Sequence, residues 1–93
     1  MYTIKPYSFS QAKKLKVIIQ PSQYKKYKID VFDKKTKEYI TSIGSSSYSD
    51  FPSYLETRGR EYAENRRRLY KIRHEKDRHI LNSRGYYADQ LLW

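Results

Sequence analysis

The apolar side of this sequence is built largely from rings that carry a hydroxyl. Tyrosine occurs eleven times, with three Phe and one Trp, in a chain of 93 residues of which only 38% are apolar. A Tyr ring can be buried, but its hydroxyl then needs a hydrogen-bond partner. The chain is thereby limited to one small domain with a thin core and wet, contact-rich surfaces. A domain of this length hides only about 60% of its unfolded surface, so support from a partner is expected.

Charge points the same way. The net charge is +10, which is an argument about partners rather than about fold. Nucleic acid, an anionic membrane face and an acidic protein are the candidates. Residues 1–47 hold ten Lys and no Arg against Asp30, Asp33 and Glu38, whereas residues 48–93 hold eight Arg and two Lys against seven acids. Lys is a hydrated point charge on a loose stem, and Arg is a flat fork suited to fixed contacts. The first half reads as a solvated basic surface, with Lys25, Lys26, Lys28, Lys34 and Lys35 as candidate contacts. The second half reads as a place where cations meet carboxylates in defined geometry.

Absence of Cys excludes disulfides and Cys-based metal sites. The longest apolar run, Val17-Ile18-Ile19, is far below the roughly 20 residues of a membrane span. The start, Met1-Tyr2-Thr3-Ile4-Lys5-Pro6, has no signal-peptide apolar core. A soluble protein working inside a cell or a particle is expected.

The predicted fold class is α+β within a single domain, 1–93: an N-terminal arm over 1–24, a β-hairpin over 25–44 and a helical region over 50–93. Ser8-Phe9-Ser10-Gln11 has the form of a capping box and predicts a short helix from Phe9 to about Leu15. Val17 to Ile19 reads as a short extended segment closed by Pro21. Tyr27, Ile29 and Val31 alternate with polar residues in the strand manner. A polar turn over 33–38 and a second β-rich run, Tyr39 to Ile43, complete a hairpin over about 26–43. Two strands are marginal in water, so a helix or third strand must cover one face. Asp50 or Ser49 before Pro52 is a helix start. The main helix is predicted over about 53–80, with Gly59 able to break it. Ser83-Arg84-Gly85 ends it, and Tyr86 to Trp93 forms a short helical hook.

At about 100° per residue, Leu69, Ile80 and Leu55 fall within about 20° of Tyr62. That predicts an apolar face through Tyr62, Leu69 and Tyr70, with Lys71, Arg67 and Arg78 opposite. Glu64 pairs favourably with Arg67 and Arg68. Arg66 and Arg73 fall inside the apolar stripe, and a buried unpaired guanidinium is too costly to persist. Either their stems snorkel to the edge of the stripe, or each head meets an acceptor: Asp89, the terminal carboxylate, a partner's acid or a phosphate. Arg66, Arg67, Arg68, Lys71, Arg73 and Arg78 are therefore candidate nucleic-acid or partner contacts. Tyr62, Leu69, Tyr70, Tyr86, Tyr87, Leu91, Leu92 and Trp93 are candidate anchors in a core or a partner.

Catalytic signatures are missing. His74 and His79 are five apart, not the four that puts two zinc ligands on one helix face. No nucleophile stands by a base, and Gly44, Gly59 and Gly85 are isolated. No enzyme, metal, cofactor or small-molecule substrate is expected.

The run Arg66-Arg67-Arg68-Leu69-Tyr70-Lys71-Ile72-Arg73-His74-Glu75-Lys76-Asp77-Arg78, with Gly85-Tyr86-Tyr87-Ala88-Asp89 and Leu91-Leu92-Trp93, resembles a family of small, uncharacterised basic proteins. These belong to large DNA viruses of algae and protists. The likeness spans roughly 25–93 and is most specific from Tyr54 onward. The resemblance implies a viral setting, with a minor structural protein in the virion contacting capsid subunits or the genome, and lends no catalytic residue. A non-sequence-specific nucleic-acid-binding protein, located in the virion or in host cytoplasm or nucleus, is the alternative.

Overall fold

A computed structural model describes residues 2–93. Three antiparallel strands form a meander in the order β1-β2-β3: β1 (Val17–Pro21), β2 (Tyr27–Asp33) and β3 (Tyr39–Ser45). Four helices accompany it: α1 (Pro6–Leu15), α2 (Phe51–Arg58), α3 (Arg60–Arg73) and α4 (Arg84–Leu92). The α+β class and the hairpin of β2 and β3 agree with the sequence. The extended segment Val17 to Pro21 is the third strand, pairing Val17 with Asp33 and Ile19 with Val31.

One sheet face is aliphatic. Val17, Ile19, Ile29, Val31 and Ile43 pack against Ala12 of α1 and Tyr87, Leu91 and Leu92 of α4. Ile29, Val31, Ile43 and Leu91 are fully buried. Most of the tyrosines stay outside this core, because their hydroxyls are better served at its edges. Gly44 lies at φ +77°, and a Cβ there would come 2.6 Å from Leu92 Cδ1, so only glycine lets α4 lie this close to β3.

Three local predictions need correcting. The helix α1 begins at Pro6, whose fixed φ suits the first helical position, and its N-cap Lys5 makes no side-chain cap bond. The supposed capping-box residues dock α4 instead: Ser8 Oγ donates to the Leu91 carbonyl at 2.6 Å and Gln11 Nε2 to the Gln90 carbonyl at 3.0 Å. The main helix is not one long rod to residue 80. Gly59, at φ 87° and ψ 169°, separates α2 from α3, and α3 stops at Arg73. From His74 to His79 every side chain is polar or charged, so no apolar face exists to hold a further turn in place. The C-terminal hook starts earlier than expected, with Ser83 Oγ capping α4 by accepting from the Tyr86 N–H at 3.1 Å.

The buried side of α3 is also different. Ala63 and Tyr70 are buried, with Arg66, Arg67, Lys71 and His74 partly so. Tyr62 and Leu69 are more than a third exposed, and Ile72 is 64% exposed. The buried stripe is turned by about one residue, roughly 100°, from the one drawn through Tyr62. Rings and salt bridges decide this, not aliphatic burial. Arg67 lies 3.5 Å over the Phe51 ring, Tyr70 stacks on Trp93 at 4.4 Å, and Lys71 Nζ donates to Asp89 at 2.7 Å.

Candidate functional site

The helical hairpin of α2 and α3 is tied to α1 and α4 by ions and rings, and to β2 by the Asp50–Lys28 pair; a cleft of about 800 Å³ opens between it and the sheet. Three regions of the chain form its walls. The open end of the β-hairpin gives Lys26, Tyr27 and Ser45, and the following turn gives Tyr48 and Ser49. Helix α3 gives Arg66, Tyr70 and Arg73, and its C-cap gives His74. The start of α4 gives Arg84 and Gly85, and Trp93 closes the far side.

The charge in this cleft is one-sided. Five Lys and Arg side chains line it against two carboxylates, Asp50 and Asp77. Both carboxylates are already engaged. Asp50 receives Lys28 Nζ at 2.8 Å, with both side chains buried, and Asp77 lies 3.3 Å from His74 Nδ1. Among the described residues, Lys26, Arg66, Arg73 and Arg84 form no salt bridge. Arg66 lies 5.7 Å from the Tyr54 ring centroid, and its Nε is buried without a hydrogen-bond partner. Arg84 Nε donates to the Ser42 carbonyl at 2.9 Å, which fixes the guanidinium 4.9 Å over Tyr27 and leaves its other nitrogens free.

Aromatic rings back these cations. His74, Tyr70 and Trp93 form a continuous stack, with centroids 4.3 Å and 4.4 Å apart and the Tyr70–Trp93 planes within 7°. Burial, followed by the charge of Asp89, pushes the Tyr70 phenol up to about 12. A hydrogen bond from His74 holds the Asp77 carboxyl below its ordinary value.

The expected contact residues divide sharply. Arg66, Arg73 and Lys26 meet at the cleft. Lys28 is not a surface cation, since Asp50 consumes it. Asp89 is taken by Lys71 and, at 3.7 Å, by Arg78, rather than by Arg66 or Arg73. Arg67 faces Glu64 at 3.6 Å, and Arg68 Nη2 donates to the Asn65 side-chain Oδ1 at 2.8 Å. Lys34 and Lys35 sit at the turn between β2 and β3, a strand length of roughly 20 Å from the cleft. Lys25 lines a smaller hollow of about 450 Å³ with Tyr2 and Tyr24. Tyr87, Leu91 and Leu92 belong to the core, with Tyr86 and Trp93 packed against it.

Several wall residues escaped the sequence reading, Arg84, Tyr48 and His74 among them. Arg84 stood inside a helix-breaking triplet, Tyr48 inside a serine loop, and His74 on a polar helix face. Their signal is spatial: only the fold brings residues 26, 48, 66, 73 and 84 together. His74 and His79 turn to different acids, Asp77 and Glu75, and no cluster of three metal-ligating side chains occurs among the described residues. No helix there is long and apolar enough to cross a membrane. No protein-family model matches the chain, and neither a curated protein nor a solved structure matches it.

Proposed function

We propose that the protein is a non-enzymatic binding module that grips the phosphate backbone of nucleic acid in the cleft between α3 and the open end of the hairpin. One observation carries this reading: Lys26, Arg66, Arg73 and Arg84 converge, free of salt bridges among the described residues, on one concavity whose two carboxylates face Lys28 and His74 instead. Cations held apart from protein acids are primed for phosphate, and Arg offers the bidentate geometry that phosphate accepts. No base-reading motif accompanies them, so contact is to backbone and shape rather than to sequence. The test is binding of a labelled random-sequence oligonucleotide across a salt series. Three or four phosphate contacts give a log–log slope of about −2 to −4. A flat salt response would contradict the reading.

A minor structural role in a virion, which the sequence resemblance implies, is the second reading. The exposed apolar side of the α2–α3 hairpin favours it, where Leu55, Tyr62, Leu69 and Ile72 are 37–64% exposed. Such side chains suit contact with a neighbouring subunit. The two readings combine if the protein lines the genome-facing side of a shell. A fixed copy number in purified particles is the expected outcome for the second, and absence from particles opposes it.

A further inference from the structure

We infer that the cleft takes single-stranded nucleic acid in preference to duplex, with a base stacked on Tyr48; this rests on the phosphate-binding reading above.

Every tyrosine of the chain except Tyr48 has a ring or a cation against its own ring. Tyr7, Tyr24, Tyr39, Tyr54, Tyr62, Tyr70, Tyr86 and Tyr87 pair with other rings. Tyr2 and Tyr27 lie under cations. Tyr48 has no such neighbour among the described residues and is 75% exposed. It is nonetheless not loose. Ser46 N–H donates to the Lys26 carbonyl at 3.0 Å, and Tyr48 N–H to the Ser45 carbonyl at 3.3 Å. Ser47 N–H donates to Ser45 Oγ at 3.2 Å. A tied turn therefore holds an open ring on the wall of a cation-lined cleft.

That combination matches how unpaired strands are held, with phosphates on cations and bases on ring faces. A duplex hides its base faces in its own stack and can use only the cations. Size favours the strand as well. The cleft, at about 800 Å³, has the dimensions of a few nucleotides, whereas a double helix is wider than its ~12 Å major groove alone. A duplex could lie only across the mouth.

Three labelled probes separate the possibilities: a thymidine oligonucleotide, a duplex of the same length, and inorganic polyphosphate. The strand is expected to bind at least several-fold more tightly than the duplex. Tyr48→Ala should weaken strand binding about ten-fold, in line with the loss of one base–ring stack, and Tyr48→Phe should restore it. Polyphosphate binding should ignore both Tyr48 variants and fall with Arg73→Gln. Duplex binding as tight as the strand, or a Tyr48→Ala protein with unchanged strand affinity, overturns this inference while leaving phosphate binding intact. Failure of all three probes to bind overturns both.

Discussion

Asp50 joins three parts of the chain through its two oxygens. Oδ1 accepts from the Ser53 N–H at 2.9 Å and caps α2. Oδ2 accepts from Lys28 Nζ at 2.8 Å and from the Tyr2 hydroxyl at 2.9 Å. Breaking a buried pair strands the remaining charge, which costs about 3–5 kcal/mol. Asp50→Asn keeps an oxygen for the cap and removes the charge facing Lys28. We expect it to destabilise the fold by about 3 kcal/mol in chemical denaturation. A loss below about 1 kcal/mol would place this pair with screened surface pairs. Tyr70 gives a pH prediction at the same scale. Its unfolded phenol ionises near 10, whereas the folded one holds its proton to about 12. Stability is therefore whole below pH 10 and falls as the pH rises from 10 towards 12. Alkaline unfolding followed by circular dichroism checks this, and Tyr70→Phe should blunt the fall across that window.

Among the elements, Gly59 is the joint between α2 and α3. A Cβ there meets nothing within 4 Å, yet φ 87° with ψ 169° is a conformation essentially confined to glycine. Gly59→Ala should cost about 1–3 kcal/mol in thermal or chemical unfolding, and from backbone strain alone. The turn after α3 is held by exposed ions. Hydrogen bonds from His79 and Arg78 hold the Glu75 carboxyl below its ordinary 4.5. That contribution is complete above pH 4.5 and is lost as the pH falls through the lower folded value. Amide protection over 74–79, taken relative to the intrinsic exchange rate at each pH, should fall on acidification from pH 5 towards pH 3, ahead of that of the core strands. The hairpin was legible because β-alternation at Tyr27, Ile29 and Val31 is a local pattern with a period of two. The facing of α3 was not. Its partners Phe51 and Asp89 stand on other helices and Trp93 follows α4, and the side chains they select include Arg67 and Lys71, which hydropathy assigns to water. The early end of α3 was hidden for a related reason: residues 74–79 carry good helix-pair charges but nothing to bury.

The whole molecule has a Cα radius of gyration of 12.6 Å, close to the ~12 Å of a compact chain of this length. The cleft is thus a feature of one body rather than a gap between loose parts. Its two walls are joined through α4: Lys71 and Tyr70 of α3 meet Asp89 and Trp93, while Arg84 meets Ser42 and Tyr27 of the hairpin. The basic character expected from composition is real, but the separation of used from unused cations is a property of the fold. Lys28, Lys71 and Arg78 are spent on Asp50, Glu75 and Asp89, while Arg66 and Arg73 remain open in the cleft.

A charge-matched comparison tests that separation most directly. Arg66→Gln with Arg73→Gln, and Lys34→Gln with Lys35→Gln, each remove two positive charges, from the cleft and from the distant turn respectively. Nucleic-acid binding is measured across a salt series for both double variants. The cleft pair should lower affinity strongly and reduce the steepness of the salt slope by about 1.5–2, while the turn pair leaves the slope nearly unchanged. Equal losses from both pairs would show that only net charge matters, and would contradict the account.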